Sequence, residues 1–217
     1  MKILIVQDYL RSGGTERQSV FLANAFADQG HEATLLTFRP GGPLASTISP
    51  QVTHQVLQSF DTHCDWFTPG LIQRIEQNPA DVILLMGRMA NCHGQGIVKE
   101  VQDRWPHTRV IGTMRTGKKL PWFFRFSLRH VHHIIANSHA AKSTLETQYQ
   151  LPTEKISVIA NSLVFPETPS AFVRQETRAR FGADQHTTVL LDVAMFRPEK
   201  NQRELIEIAA QLPRDFN

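Results

Sequence analysis

Short apolar runs alternate with longer amphipathic stretches along most of this chain. Residues 3–6 (Ile3, Leu4, Ile5, Val6) offer no polar face and predict a fully buried strand. Residues 15–29 predict a helix, with Leu22, Ala25 and Phe26 at i, i+3, i+4 spacing and Gly30 as its stop. Strands are predicted over 33–38, 52–57, 81–86, 109–113, 133–136 and 156–160. Helices are predicted over 66–77, 94–104, 122–131 and 140–149, with Ser138 capping the last and Trp105-Pro106 closing the second.

Continuous apolar strands separated by helices imply an α/β fold, a Rossmann-like parallel sheet with helices on both faces. Ligands of such sheets bind beyond the carboxyl ends of the strands. The loops that matter therefore follow Val6, Phe38, Met86, Thr113, Ala136 and Ala160. Residues 165–170 (Phe165, Pro166, Glu167, Thr168, Pro169, Ser170) have linker composition and close a first domain over 1–164. Residues 171–217 then offer a helix over 171–181, a strand over 188–193 and a helix over 201–212. One strand and two helices cannot make a covered sheet, so this part reads as an incomplete second α/β domain. Its strand would have unpaired edges, which invites a homodimer through the tail or a tail folded back on the first domain.

Composition narrows the class. The chain has 217 residues, 41% hydrophobic and 20% charged, enough to bury a core without disulfides or metal. Cys64 and Cys92 form no CxxC pair, which fits reduced thiols and a cytoplasmic protein. The run 3–6 is too short for a signal-peptide core, and no segment approaches the roughly 20 apolar residues of a membrane span. The net charge of +3 is uneven: residues 104–142 hold eight Lys and Arg and no Asp or Glu, leaving −5 elsewhere. Concentrated positive charge points to an anionic partner. Nucleic acid is not expected, because those cations belong to no base-reading motif.

Candidate chemistry begins after the first strand. Gly13 and Gly14, followed by Thr15, open the first helix. Paired glycines allow positive φ and close approach of a ligand to the helix start, whose free N–H groups suit a phosphate or sugar hydroxyl. A simple tight turn explains them equally well. The GxGxxG fingerprint of dehydrogenases is absent. Residues 118–130 mix Lys118, Lys119, Arg125 and Arg129 with Trp122, Phe123, Phe124, Phe126 and Leu128. They read either as a peripheral contact with an anionic membrane or as core, with Phe123, Phe126 and Leu128 buried and the cations solvated. His130, His132, His133 and His139 lie close in sequence, but His132 and His133 point to opposite sides of a strand, so no metal is expected. His93, in a loop after the fourth strand, is placed to touch an acceptor.

Several segments together carry a resemblance. Lys2-Ile3-Leu4-Ile5-Val6, Gly13-Gly14-Thr15-Glu16 and the stretch opening at His31-Glu32 resemble the start of the group 1, or family four, retaining glycosyltransferases. Ile134-Ile135-Ala136-Asn137-Ser138, Lys155-Ile156-Ser157-Val158-Ile159-Ala160-Asn161-Ser162 and the segment from Val193 to Asn201 resemble later signatures of that family, in family order. The resemblance implies GT-B architecture: two Rossmann-like domains facing a cleft, with the acceptor held mainly by the first and the nucleotide-sugar by the second. It implies transfer of a sugar, with retention, from a nucleoside-diphosphate sugar to a glycan or lipid-linked acceptor, without a metal or other cofactor. By position, Gly14, Arg197 and Lys200 would meet the donor phosphates. Gly13, Thr15, His93, Arg115, Asn137, Ser138 and Asn161 would line the acceptor side or the cleft. A cation there is chemically required, because cleaving the sugar–phosphate bond builds negative charge on the leaving oxygen. This chain departs from the pattern at Ala194-Met195, where Gly-Arg is usual and the nearest arginine is Arg197, and at Arg115, near a position often held by histidine. The family's paired glutamates would fall beyond Asn217, so a catalytically silent fragment is expected. A non-catalytic acceptor- or membrane-binding module and a nucleotide-sugar epimerase are the alternative readings.

Overall fold

A computed structural model describes residues 1–115, 120–162, 170–194, 196 and 198–212. The chain packs as two units, Met1–Ser162 and Leu163–Asn217. In the first, seven parallel strands form one sheet: β1 (Lys2–Gln7), β2 (Glu32–Thr37), β3 (Thr53–Val56), β4 (Val82–Leu85), β5 (Arg109–Met114), β6 (His133–Ala136) and β7 (Ile156–Val158). Their spatial order is β3-β2-β1-β4-β5-β6-β7. The helices of this unit are α1 (Gly14–Asp28), α2 (Leu71–Gln77), α3 (Arg88–Cys92), α4 (Gly94–Arg104), α5 (Trp122–His130) and α6 (His139–Thr147).

The alternation of side chains along β1 divides the core in two. Leu4 and Val6 join Leu36, Ile83, Leu85 and Val110 on one face, under Ile97, Val101, Leu128 and Leu145 of α4, α5 and α6. Ile3 and Ile5 join Leu35 and Leu84 on the other, under Val20 and Ala23 of α1. Ile5 sits beside Leu35 and Leu84, one on each side, and all three are buried. A strand enclosed on both faces and both edges needs apolar residues throughout, which is why residues 3–6 show no alternation. Each such side chain contributes roughly 1.5–3 kcal/mol by leaving water.

Several expectations hold with small shifts of boundary, and others need correction. Ser138 does cap α6, accepting the Ala141 N–H at 3.1 Å. Helix α1 buries Ser19, Val20, Ala23 and Ala27, while Leu22 and Phe26 are only partly covered, so the buried stripe lies further round the helix than the spacing predicts. Helix α2 starts at Leu71 rather than 66, after Gly70 in the left-handed region (φ 67°), and the Phe67 carbonyl is taken by the Gln58 amide instead of a helical N–H. The short helix α3 has no counterpart among the predicted elements. Of the aromatic residues in α5, Phe124 is buried, as is Leu128, and Phe123 is partly covered, whereas Trp122 and Phe126 are exposed. The core reading, which puts Phe126 inside, is corrected at that residue.

The second unit contains α7 (Ala171–Arg180), capped by Ser170 accepting the Val173 N–H, and α8 (Gln202–Ala210), preceded by a 3-10 turn at Pro198–Lys200. Arg178 donates to the carbonyls of Asp184 and Thr187 and closes the turn after α7. Residues 188–193, expected as a strand, form no regular element, and Leu190, Leu191 and Val193 are exposed. An extended segment becomes a strand only when a neighbour completes its hydrogen-bond ladder, and the described residues of this unit supply none. The linker expected over 165–170 lies outside the described residues except for Ser170.

Candidate functional site

The sheet reverses its winding between β1 and β4, and a cavity of about 670 Å³ opens at the carboxyl ends of β1, β4 and β5. That is where an open parallel sheet binds ligands, because loops on either side of the reversal diverge and leave a crevice. The volume lies within the range of small-molecule sites. Gln7 and Asp8 reach it from β1, Thr15 and Glu16 from the first turn of α1, Met86, Gly87, Arg88, Met89 and Asn91 from the β4–α3 corner, and Thr113 and Arg115 from β5. His63, Cys64, Asp65 and Trp66 line it from the long loop after β3, and Leu120 and Phe124 from the approach to α5 and its first turn.

Asp8 organises the centre. Its carboxylate accepts the Met89 N–H at 2.9 Å and the Ala90 N–H at 2.7 Å, satisfying two of the free amides at the start of α3. Gly87 makes the approach possible, since a Cβ there would collide with the Asp8 carboxylate and backbone nitrogen. Burial pushes the Asp8 pKa up to about 6 from the usual carboxylate range, against the lowering effect of the two amides. Behind it, Asn91 is fully buried and ties β4 to β5. Its amide donates to the Leu85 and Gly87 carbonyls and its oxygen accepts the Thr113 N–H, while the Thr113 hydroxyl donates to Leu85. The cavity floor is therefore fixed by side-chain bonds where the ladder ends.

The loop after β3 is fixed in another way. Arg39, buried just past β2, donates to both oxygens of Asp61 at 2.7 and 2.9 Å and to Asp65 at 2.9 Å. Its guanidinium lies 4.1 Å from the Tyr9 ring centroid, and Arg11, 5.1 Å from the same ring, donates to the second oxygen of Asp65 at 2.7 Å. The paired guanidinium holds the Asp61 carboxyl well below its ordinary pKa, and the hydrogen bond to Asp61 raises that of Arg39. Gln58 completes the anchor: its amide donates to the Cys64 and Phe67 carbonyls and its oxygen accepts from Thr62.

The residues singled out from sequence are distributed unevenly. Thr15 and Arg115 line the cavity. Arg115 donates to Asn161 at 2.6 Å, which brings the loops after β5 and β7 together, and its Nε is buried with no partner among the described residues. Burial lowers the Arg115 pKa. Gly13 caps α1 with φ −76° and Gly14 begins the helix, so neither uses the positive φ expected of the pair. A Cβ on Gly14 would meet open space, and one on Gly13 only the far end of the Glu16 side chain. Gln18, also on α1, exchanges two hydrogen bonds with the backbone of Ser162, which holds the end of this unit against that helix. Asn137 and Ser138 are outside the cavity; the Asn137 N–H extends the ladder to Met114, and Ser138 is engaged as a cap.

His93 is also outside the cavity, away from the acceptor position expected of it. It joins α3 to α4, packs edge-on against Phe38 at 5.7 Å and borders a smaller hollow with Leu71 and Gly96. Lys200 is exposed at the end of the 3-10 turn of the second unit, and Arg197 lies outside the described residues, as do Lys118 and Lys119. Sequence reasoning misses most of the cavity lining, including Asp8, Asn91, Asp65 and Trp66. Asp8 has a signal, an acid directly after a buried strand; Asp65 and Trp66 have none, because a long loop brings them in. Among the described residues no cluster of three or more His, Cys, Asp or Glu could hold a metal. His132 accepts from the Val110 N–H and His133 meets Ser157, in separate surroundings.

The sheet order, the crevice at its reversal and the glycine turn leading into α1 define a Rossmann-like α/β unit. The chain belongs to Glycosyltransferase Family 4, whose model matches residues 12–163. It is similar in structure to Anabaena Alr3699/HepE, solved in complex with UDP, with a TM-score of 0.74 and 20% identity over 99% of this chain and 58% of that one. The same protein in complex with UDP-glucose matches with a TM-score of 0.69. A glycosyltransferase from Rickettsia africae matches with a TM-score of 0.71 and 17% identity over 97% of this chain and 57% of that one. The chain thus spans under three fifths of the length of these structures. No curated protein matches it.

Proposed function

We propose that this chain forms the acceptor-side part of an enzyme that transfers a hexose, with retention, from a nucleoside-diphosphate sugar to a glycan or lipid-linked acceptor. The observation that carries this reading is the cavity at the β1/β4 reversal of a Family 4 domain, beside the exposed start of α1. The solved relative holds UDP and UDP-glucose, which supports a uridine nucleotide as donor. Gly14, Arg197 and Lys200 are the proposed contacts to the donor diphosphate. Thr15, Arg115 and Asn161 are the proposed acceptor or cleft residues, and neither metal nor cofactor is needed. Backbone amides at a helix start and fixed cations stabilise charge on the leaving oxygen without reorganisation.

The enzyme would work in the cytoplasm. No helix among the described residues is long and apolar enough to cross a membrane. Peripheral contact with an anionic membrane is supported by exposed Trp122 and Phe126 on α5 beside Arg129.

Thermal denaturation of the complete enzyme with UDP, GDP and ADP tests the donor assignment. A ligand at a hundred times its Kd adds about 2.7 kcal/mol of stability, so the cognate nucleotide should raise Tm and the others should not. Arg197→Ala and Lys200→Ala should each lower turnover at least tenfold with Tm unchanged. Unaltered turnover in both removes the diphosphate assignment. Conversion of the nucleotide-sugar without any acceptor would favour the epimerase instead.

A further inference from the structure

The cavity has walls of different chemistry. The lining includes the carboxylates and guanidinium groups of Asp8, Glu16, Asp65 and Arg11 together with the apolar side chains of Leu120, Phe124 and Trp66. Trp66 is 56% exposed although it lines the cavity, and its ring is braced at 5.0 Å by the edge of Phe123, which Trp122 in turn braces at 5.9 Å. An indole left half open to solvent keeps a large apolar face available to a ligand. The loop that carries it is held by Arg39, Arg11 and Gln58 at Asp61, Asp65, Cys64 and Phe67. A rigid aromatic face next to a row of charged hydrogen-bonding groups is suited to a pyranose ring. The axial C–H groups on one face of a hexose are slightly positive and fit the negative face of an indole, while equatorial hydroxyls at the rim reach carboxylates and guanidinium groups.

We propose that Trp66 is a stacking platform for a sugar ring of the acceptor, with Asp65 and Arg11 receiving its hydroxyls, and that Arg39 is the positioning residue that sets the platform. The reading rests on the acceptor-side assignment above and adds to it the class of ligand and the residues that select it. Specificity follows from the same geometry. Hexoses with an unbroken patch of axial C–H groups lie flat on the ring, whereas an axial hydroxyl pointing at the indole is excluded.

Saturation-transfer NMR on the complete enzyme, with the methyl glycosides of glucose, galactose, mannose and N-acetylglucosamine as probes, tests this directly. At least one glycoside should receive saturation, most strongly at its axial ring protons, and UDP should not displace it. Trp66→Ala should weaken that glycoside's binding about tenfold, Trp66→Phe should keep most of it, and Arg39→Gln should weaken it with Trp66 intact. Absence of transfer to all four probes, equal binding in Trp66→Ala, or displacement by UDP would each overturn the proposal. UDP-induced stabilisation is measured on the same samples. Loss of the UDP response with glycoside binding intact would count against the transferase reading and leave the platform standing.

Discussion

Replacing Asp8 with asparagine turns the buried carboxylate into a measurable quantity. In the folded protein the carboxyl has a pKa of about 6, against 3.8 for the unfolded chain. The unfolded state therefore gives up its proton first as pH rises, and the folded state is left carrying a cost. Asp8 thus favours folding most below pH 3.8, and that advantage fades as pH climbs through 6. The full span is about 2.2 pK units, about 3 kcal/mol at roughly 1.36 kcal/mol per unit, and roughly 2–3 kcal/mol of it falls between about pH 4 and 7. The asparagine side chain would not titrate, and one of the two amides served by Asp8 would face an NH2 group instead, a constant cost of about 1–3 kcal/mol. Urea denaturation of both proteins at half-unit steps from about pH 4 to 7 gives the difference directly. Tryptophan fluorescence is a suitable probe because Trp66, Trp105 and Trp122 all lie in the first unit. The advantage of the wild type over Asp8→Asn should shrink by roughly 2–3 kcal/mol across that window. A constant difference, or one that grows with pH, would refute the raised pKa and the burial argument behind it.

Gly87→Ala forces a methyl group into the Asp8 carboxylate and backbone, and should cost about 1–3 kcal/mol or more by denaturation; an unchanged midpoint would mean that the α3 corner yields freely. Arg39→Leu removes the cation between Asp61 and Asp65, leaving Asp61 without a guanidinium and Asp65 with Arg11 alone. A lower urea midpoint is expected, with new proteolytic cleavage between residues 60 and 67 that mass spectrometry would locate. Gln18→Leu deletes both bonds to the Ser162 backbone and should speed hydrogen exchange at the Ser162 amide while leaving β1 and β4 protected.

Much of the first unit was legible because its determinants are local. Residues 3–6 and 82–85 are apolar throughout, and a run of that kind has few fates other than a strand covered on both faces. Ser138 announces a helix start by its own hydroxyl, and Gly30 a helix end. The alternation of strands and helices was enough to place the site at the carboxyl side of a parallel sheet, and the order of the motif segments suggested the family.

Tertiary structure decided what the sequence could not. Arg39, Asp61 and Asp65 are ordinary charged residues until folding sets a buried guanidinium between two carboxylates and fixes the loop that leads to α2. His93 has the loop position expected of a ligand contact, but its ring finds Phe38. Gly13 and Gly14 do not adopt positive φ, and at Gly14 a Cβ would meet nothing within 4 Å. Residues 188–193 have the composition of a strand, and a strand exists only where a neighbour accepts its hydrogen bonds. Periodicity reports which face of an element avoids water; which distant side chains meet there depends on loop paths, whose energies come from contacts between residues far apart in the chain.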